Sequence, residues 1–120
     1  MSRIPYLIAG AIAALAIAAP GSAGVSATKR LNGTVGPSFT INLKKGTAKV
    51  RTLTKGKYRI TVRDRSNIHN FRLKGPGLNK QITSVGFVGT KTVTVTLKKG
   101  RYTYVCDPHA ASMKGTFRVT

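Results

Sequence analysis

From Phe39 onward, apolar and polar residues alternate along much of the chain, with the period of two that belongs to half-buried β-strands. Phe39, Ile41 and Leu43 share one face of a first predicted strand, and a weaker segment from Lys49 to Leu53 forms a second. Tyr58, Ile60 and Val62 alternate with Lys57, Arg59, Thr61 and Arg63, the pattern of a strand with one wet face. Val93, Val95 and Leu97 alternate with Thr92, Thr94 and Thr96 in the same way. A Lys-Lys-Gly or Thr-Lys-Gly tripeptide follows a leucine at Lys44–Gly46, Thr54–Gly56 and Lys98–Gly100. These predict turns between strands, and their irregular spacing excludes a solenoid repeat. Helix signal is nearly missing: beyond residue 27 the only alanines are Ala48, Ala110 and Ala111, and Glu does not occur.

The parity of the later strands matters most. In Gly100–Cys106, alternation puts Tyr102, Tyr104 and Cys106 on one face, with Arg101 and Thr103 on the other. The same rule in His69–Lys74 sets His69, Phe71 and Leu73 together, opposite Asn70 and Arg72. A last strand after Met113 and Gly115 turns Phe117 and Val119 inward and Arg118 and Thr120 outward. Cys106 and His69 therefore face the core. So many short strands, with Gly and Pro turns and no helices, predict an all-β fold: a Greek-key two-sheet β-sandwich of seven or eight strands.

The first 27 residues stand apart. One charge, Arg3, precedes an apolar run from Leu7 to Ala19, then Pro20, Gly21 and small residues up to Ala27. That is the order of a secretory signal peptide, with cleavage expected after Ala27 or, second, after Ala23. The run is short for a bilayer-spanning helix, which needs about 20 apolar residues. An uncleaved membrane anchor is the alternative. Residues 28–120 then form one domain of 93 residues with a formal charge of +18, since Arg3 is the only charge removed. The expected location is periplasmic, extracellular or associated with the cell envelope.

The only acids are Asp64 and Asp107. Such an excess of positive charge attracts anionic partners and argues for a monomer. The Lys and Arg residues punctuate turns and alternate along strands instead of forming a dense block, which with the export signal disfavours nucleic acid. An anionic cell-envelope surface is one candidate partner, and a generally solvated cationic surface is the plainer reading.

Candidate chemistry is concentrated in Cys106–Met113, C-D-P-H-A-A-S-M. After the export segment the chain holds one Cys, one Met and two His, and three of these four fall in that stretch. A lone Cys cannot form an internal disulfide. It is buried and inert, pairs between chains, or holds a metal. A thiolate, an imidazole and a thioether at intervals of three and four residues suit copper better than ions that prefer oxygen ligands, and His69 supplies the fourth ligand. The expected ligands are His69, Cys106, His109 and Met113. Pro108 stiffens the loop and removes a backbone donor from the vicinity of the sulfur. Zinc fits less well, because a structural zinc site draws four Cys or His ligands. A Cys106–His109 nucleophilic pair lacks an orienting third residue, Asp107 being too near in sequence to His109. The chain is read as a non-enzyme.

The segment Cys106-Asp107-Pro108-His109 with Met113, preceded by Gly100-x-Tyr102-x-Tyr104 and by His69-Asn70-Phe71, resembles the cupredoxins, the blue copper proteins of the plastocyanin and azurin type. The similarity covers roughly Phe39 to Thr120. It implies one type 1 copper held by the imidazoles of His69 and His109, the thiolate of Cys106 and a weak axial thioether from Met113. It also implies that Asn70 ties the two ligand segments together and donates a hydrogen bond near the sulfur. Three residues separate His109 from Met113, one fewer than in most plastocyanins and one more than in amicyanins. By the same resemblance His109 lies nearest the surface, ringed by Pro108, Ala110, Ala111 and Pro76, where a redox partner with an acidic docking surface would meet it. The function expected is one-electron transfer outside the cytoplasm. Copper storage or delivery, and binding of anionic envelope polymers, are the alternatives.

Overall fold

The computed structural model describes residues 28–120; the predicted export segment and both cleavage positions lie outside the described residues. Ten strands form two sheets: β1 (Lys29–Val35), β2 (Ile41–Lys45), β3 (Ala48–Lys49), β4 (Thr52–Leu53), β5 (Gly56–Asp64), β6 (Phe71–Gly75), β7 (Leu78–Thr83), β8 (Gly89–Leu97), β9 (Gly100–Val105) and β10 (Lys114–Val119). The first sheet runs β3-β2-β1-β5-β8 and the second β4-β10-β9-β6-β7. Neighbours are antiparallel except β1 with β5 and β4 with β10. The all-β Greek-key sandwich expected from the sequence is therefore present, with more than the seven or eight strands expected; the two-residue β3 and β4 make up the excess.

Alternation produces the core. Leu31, Leu43, Tyr58, Ile60 and Val62 of the first sheet pack on Phe71, Leu73, Tyr102, Tyr104 and Phe117 of the second. Phe71 stacks on Tyr104 with ring centroids 5.8 Å apart, and Tyr102 on Phe117 at 5.5 Å. Each fully buried side chain of this size contributes roughly 1.5–3 kcal/mol. Both tyrosines lie across glycines: a Cβ on Gly75 would enter the Tyr102 ring, and one on Gly115 the Tyr104 ring. The buried hydroxyl of Tyr102 donates to the Pro76 carbonyl at 2.8 Å and accepts from Lys98 N–H at 2.8 Å, so its polar end is satisfied.

Several local expectations change. Strand β1 is hidden in the sequence because Gly33 interrupts Leu31-x-Gly33-x-Val35; a Cβ there would stand 2.9 Å from the Phe71 ring. The first predicted strand begins only at Ile41. Phe39 sits in a turn closed by Gly36 N–H to Thr40 O at 2.8 Å and by the Thr40 hydroxyl to Pro37 O at 2.9 Å, and it is exposed. Segment 49–53 divides between the two sheets, crossing at Val50, which is buried. Strand β7 carries too few apolar residues to announce itself.

One end of the sandwich collects the loops that matter. Val35 pairs with Asp64, Asp64 with Gly89, Phe71 with Thr83 and Arg72 with Val105. Loops 36–40, 65–70, 84–88 and 106–113 therefore leave the sheets at the same end.

Candidate metal centre

Cys106 follows directly on β9, and its side chain continues the inward face of Tyr102 and Tyr104 as parity requires. Its N–H donates to Met113 O at 3.0 Å, extending the β9–β10 ladder by one pair. That bond places Met113 across from Cys106 on the same face, and both are fully buried. Between them Asp107–His109 form a single 3-10 turn with Pro108 near its start. His109 N–H donates to Cys106 O at 3.1 Å, and Met113 N–H donates to His109 O at 2.8 Å. The loop thus closes on its own backbone, and His109 is half-buried at its crest.

His69 arrives from the segment before β6. It is buried, as predicted, but so is Asn70, because this pair precedes the strand and the rule of opposite faces does not apply to it. The His69 Nε2–H donates to the Ser38 carbonyl at 2.9 Å. This bond fixes the tautomer and leaves Nδ1 with a free lone pair. Ser38 itself holds φ at 61° in the left-handed region, so the turn is shaped to aim that carbonyl.

Three atoms then converge. His69 Nδ1 and His109 Nδ1 are 3.1 Å apart, and each lies 3.6–3.7 Å from Cys106 Sγ. A point equidistant from these atoms lies about 2 Å from each, close to the bond lengths of a small thiophilic cation to imidazole and thiolate. Two imidazole lone pairs and a sulfur turned toward one another in a buried space repel unless a cation or shared protons sit between them. The donor set and its spacing fit copper. The ligand atoms of His69, Cys106 and His109 lie within 4.8 Å of one another. Met113, paired with Cys106 through the backbone, is buried in the same core.

Asn70 joins the two ligand segments, though not as expected at the sulfur. Its Nδ2 donates to Asp107 Oδ2 at 2.8 Å and to Gln81 Oε1 at 3.0 Å, and its Oδ1 accepts from Asp107 N–H at 2.6 Å. Arg72 Nε donates to the same carboxylate oxygen at 2.8 Å. Burial alone would raise the Asp107 carboxyl pKa. The hydrogen bonds from Arg72 and Asn70, with the positive charges of Arg72 and Lys74, outweigh it and hold the pKa below the ordinary carboxylate value. Asp107 is thus committed to Arg72 and Asn70. Burial pushes the nearby Tyr104 phenol above its usual pKa, against a backbone hydrogen bond at Leu43 and the charge of Arg51.

Sequence reasoning missed Phe39, Ser38, Gln81 and Asp107 as parts of the site. Phe39 stands edge-on to both imidazoles, its ring centroid 5.3 Å from His69 and 5.0 Å from His109. Its place at the start of an apolar alternation disguised it as a core residue. One surface assignment is corrected: Pro76 lies in the β6–β7 turn against Gly100, at the opposite end of the sandwich from His109. The exposed large apolar residues Phe39, Ile68, Val85 and Val88 all belong to loops at the ligand end.

The fold and the buried His-Cys-His group define a β-sandwich with a metal site closed by its last loop. Among known proteins, the family of copper binding proteins, plastocyanin/azurin family, matches residues 38–120. The chain belongs to this cupredoxin family, and its His69, Cys106 and His109 group is consistent with a single copper site. Among solved structures, a rusticyanin mutant aligns at 18% identity over 80% of each chain with a TM-score of 0.58. Reduced rusticyanin aligns at 20% identity over 80% of this chain and 82% of its own, TM-score 0.56. Rusticyanin from Thiobacillus ferrooxidans aligns at 20% identity over 80% of this chain and 79% of its own, TM-score 0.55. At these identities the likeness is one of fold. No curated protein matches the chain.

Proposed function

We propose that this protein is an exported one-electron carrier whose type 1 copper is held by His69, Cys106 and His109, with the Met113 thioether as a weak axial ligand. The observation that carries the reading is the convergence of two imidazole nitrogens and one sulfur at 3.1–3.7 Å in a buried pocket. Bound copper supplies a single electron exchanged between its cupric and cuprous states. The protein's part is to keep the ligands still. Cys106 is held by the strand ladder, His69 by Ser38 O, and the loop by the Asn70–Asp107 clasp, so little has to move when the charge changes. No residue is assigned a catalytic role.

The surface supports electron exchange at the ligand end. Loops 36–40, 65–70, 84–88 and 106–113 carry only Arg65 and Asp107 as charges, in a chain with 21 Lys and Arg. Phe39, Ile68, Pro108, Ala110 and Ala111 are exposed there around half-buried His109. A small apolar patch within a cationic surround favours brief docking with an acidic redox protein, steered by charge and released quickly. The signal-peptide pattern of residues 1–27 supports a periplasmic or extracellular location, and like-charge repulsion supports a monomer.

The test is the visible spectrum of the copper-loaded, oxidised protein and of Cys106→Ser, together with electron self-exchange followed by NMR line broadening. A strong thiolate-to-copper band that disappears in the variant, with fast self-exchange, is expected. A colourless copper complex, or slow exchange with ready loss of metal to a chelator, would make storage or delivery the function instead.

A further inference from the structure

The outward face of the β3-β2-β1-β5-β8 sheet is built from one kind of material. Its cations are Arg30 on β1, Lys44 on β2, Lys49 on β3, and Lys57, Arg59 and Arg63 on β5. All six are exposed. The other outward positions of these strands are Thr or Asn, including the four alternate threonines of β8. No acid, aromatic or aliphatic side chain shares the face. Among the described residues none of the six cations has an ion-pair partner: Asp64 is buried on the core side of β5, and Asp107 is bound to Arg72 on the other sheet.

Two features go beyond a solvated surface. Lys44 lies directly opposite Lys49, and Arg30 lies directly beside Arg59. Like charges at paired positions destabilise a sheet, whereas an apposed anion relieves them. The cations also spread over four strands and several rungs of the ladder instead of following one row, so they match anions distributed over an area. The absence of aromatic residues removes the stacking platforms that single-stranded nucleic acid uses, and the absence of aliphatic ones removes any means of inserting into hydrocarbon. The second sheet's outward face carries fewer free cations: Lys74, Arg101, Lys114 and Arg118 are exposed there, with Arg101 directly opposite Arg118, while Arg72 is neutralised by Asp107 and also donates to Asn79.

We infer that the Arg30–Arg59–Arg63 face adsorbs to the phosphate headgroups of an anionic bilayer, as a peripheral, salt-sensitive contact. The ligand loops leave the end of the sandwich, not this face, so adsorption leaves His109 and Phe39 open to a second partner. The inference is independent of the copper reading, because no metal ligand lies on the face.

The experiment measures partition of the full-length protein onto phosphatidylcholine vesicles with and without phosphatidylglycerol. The wild type is compared with a triple variant, Arg30→Gln, Arg59→Gln and Arg63→Gln, and with a charge-matched control on the other sheet, Arg101→Gln, Lys114→Gln and Arg118→Gln. All carry the same N-terminal segment, and the phosphatidylcholine vesicles report its contribution. Each neutralised surface cation should weaken partition about fivefold, so the first variant should lose on the order of 100-fold on anionic vesicles. The control should lose less than about a tenth as much, and salt should release the wild type. The first variant should also unfold no more easily than the wild type, because it removes the Arg30–Arg59 repulsion. Equal losses from both variants would reduce the effect to net charge and overturn the inference. So would indifference to phosphatidylglycerol, or binding to soluble alginate with none to anionic vesicles, which would reassign the face to a linear polyanion.

Discussion

Asn70 and Asp107 hold each other by two hydrogen bonds, Asn70 Nδ2 to Asp107 Oδ2 at 2.8 Å and Asp107 N–H to Asn70 Oδ1 at 2.6 Å, across 37 positions of sequence. Each residue is the immediate neighbour of an expected ligand, His69 or Cys106. The clasp therefore sets the distance between the two ligand segments before any metal arrives. Removing it tests that role. Asn70→Ala deletes three hydrogen bonds from a fully buried side chain and should lower the stability of the metal-free protein by about 2–4 kcal/mol in urea unfolding. Copper binding should weaken as well, because the loop must then be ordered by the metal.

Met113 gives a finer test. Met113→Leu conserves volume in a packed core, so the fold should survive with a loss of no more than about 1.5 kcal/mol. If the thioether is the axial ligand, removing this soft donor should raise the reduction potential in voltammetry while the visible band persists. An unchanged potential would mean that Met113 only packs.

Phe39 covers the imidazole edges from outside while being 59% exposed itself. Phe39→Ala should keep the thiolate-to-copper band but speed solvent exchange of the His69 Nε2 proton, observable by NMR, since the ring helps shield the bond to Ser38. Electron transfer to an acidic partner should slow in the same variant while self-exchange changes less.

Gly115 tests the packing beneath the expected ligands, where it pairs with Tyr104. A Cβ there would enter the Tyr104 ring, which is locked between Phe71 and Phe117. Gly115→Ala should therefore destabilise by about 1–3 kcal/mol in denaturant unfolding, and Tyr104→Leu introduced alongside should recover part of it.

Metal loading should be visible in the unfolding temperature. At free copper of about 1,000 times Kd, binding to the folded state alone adds about 4 kcal/mol. Differential scanning calorimetry should show a large upward shift, lost in Cys106→Ser and His109→Ala.

The sequence by itself determined the fold class and narrowed the candidate ligands. Period-two alternation forces Tyr58, Ile60 and Val62 to one side of a strand whatever its neighbours are, and the scarcity of Cys, His and Met left few combinations that could bind a soft cation. Tertiary structure decided the rest. Strand β1 was illegible because Gly33 makes room for Phe71, a residue 38 positions away. The same holds for Asp107, bound to Arg72 and Asn70, and for Phe39, turned outward by a loop that aims Ser38 at His69. Such contacts join segments distant in sequence, and no local pattern records them. Periodicity reports which side of an element a residue occupies; only packing of the two sheets reports what it meets there.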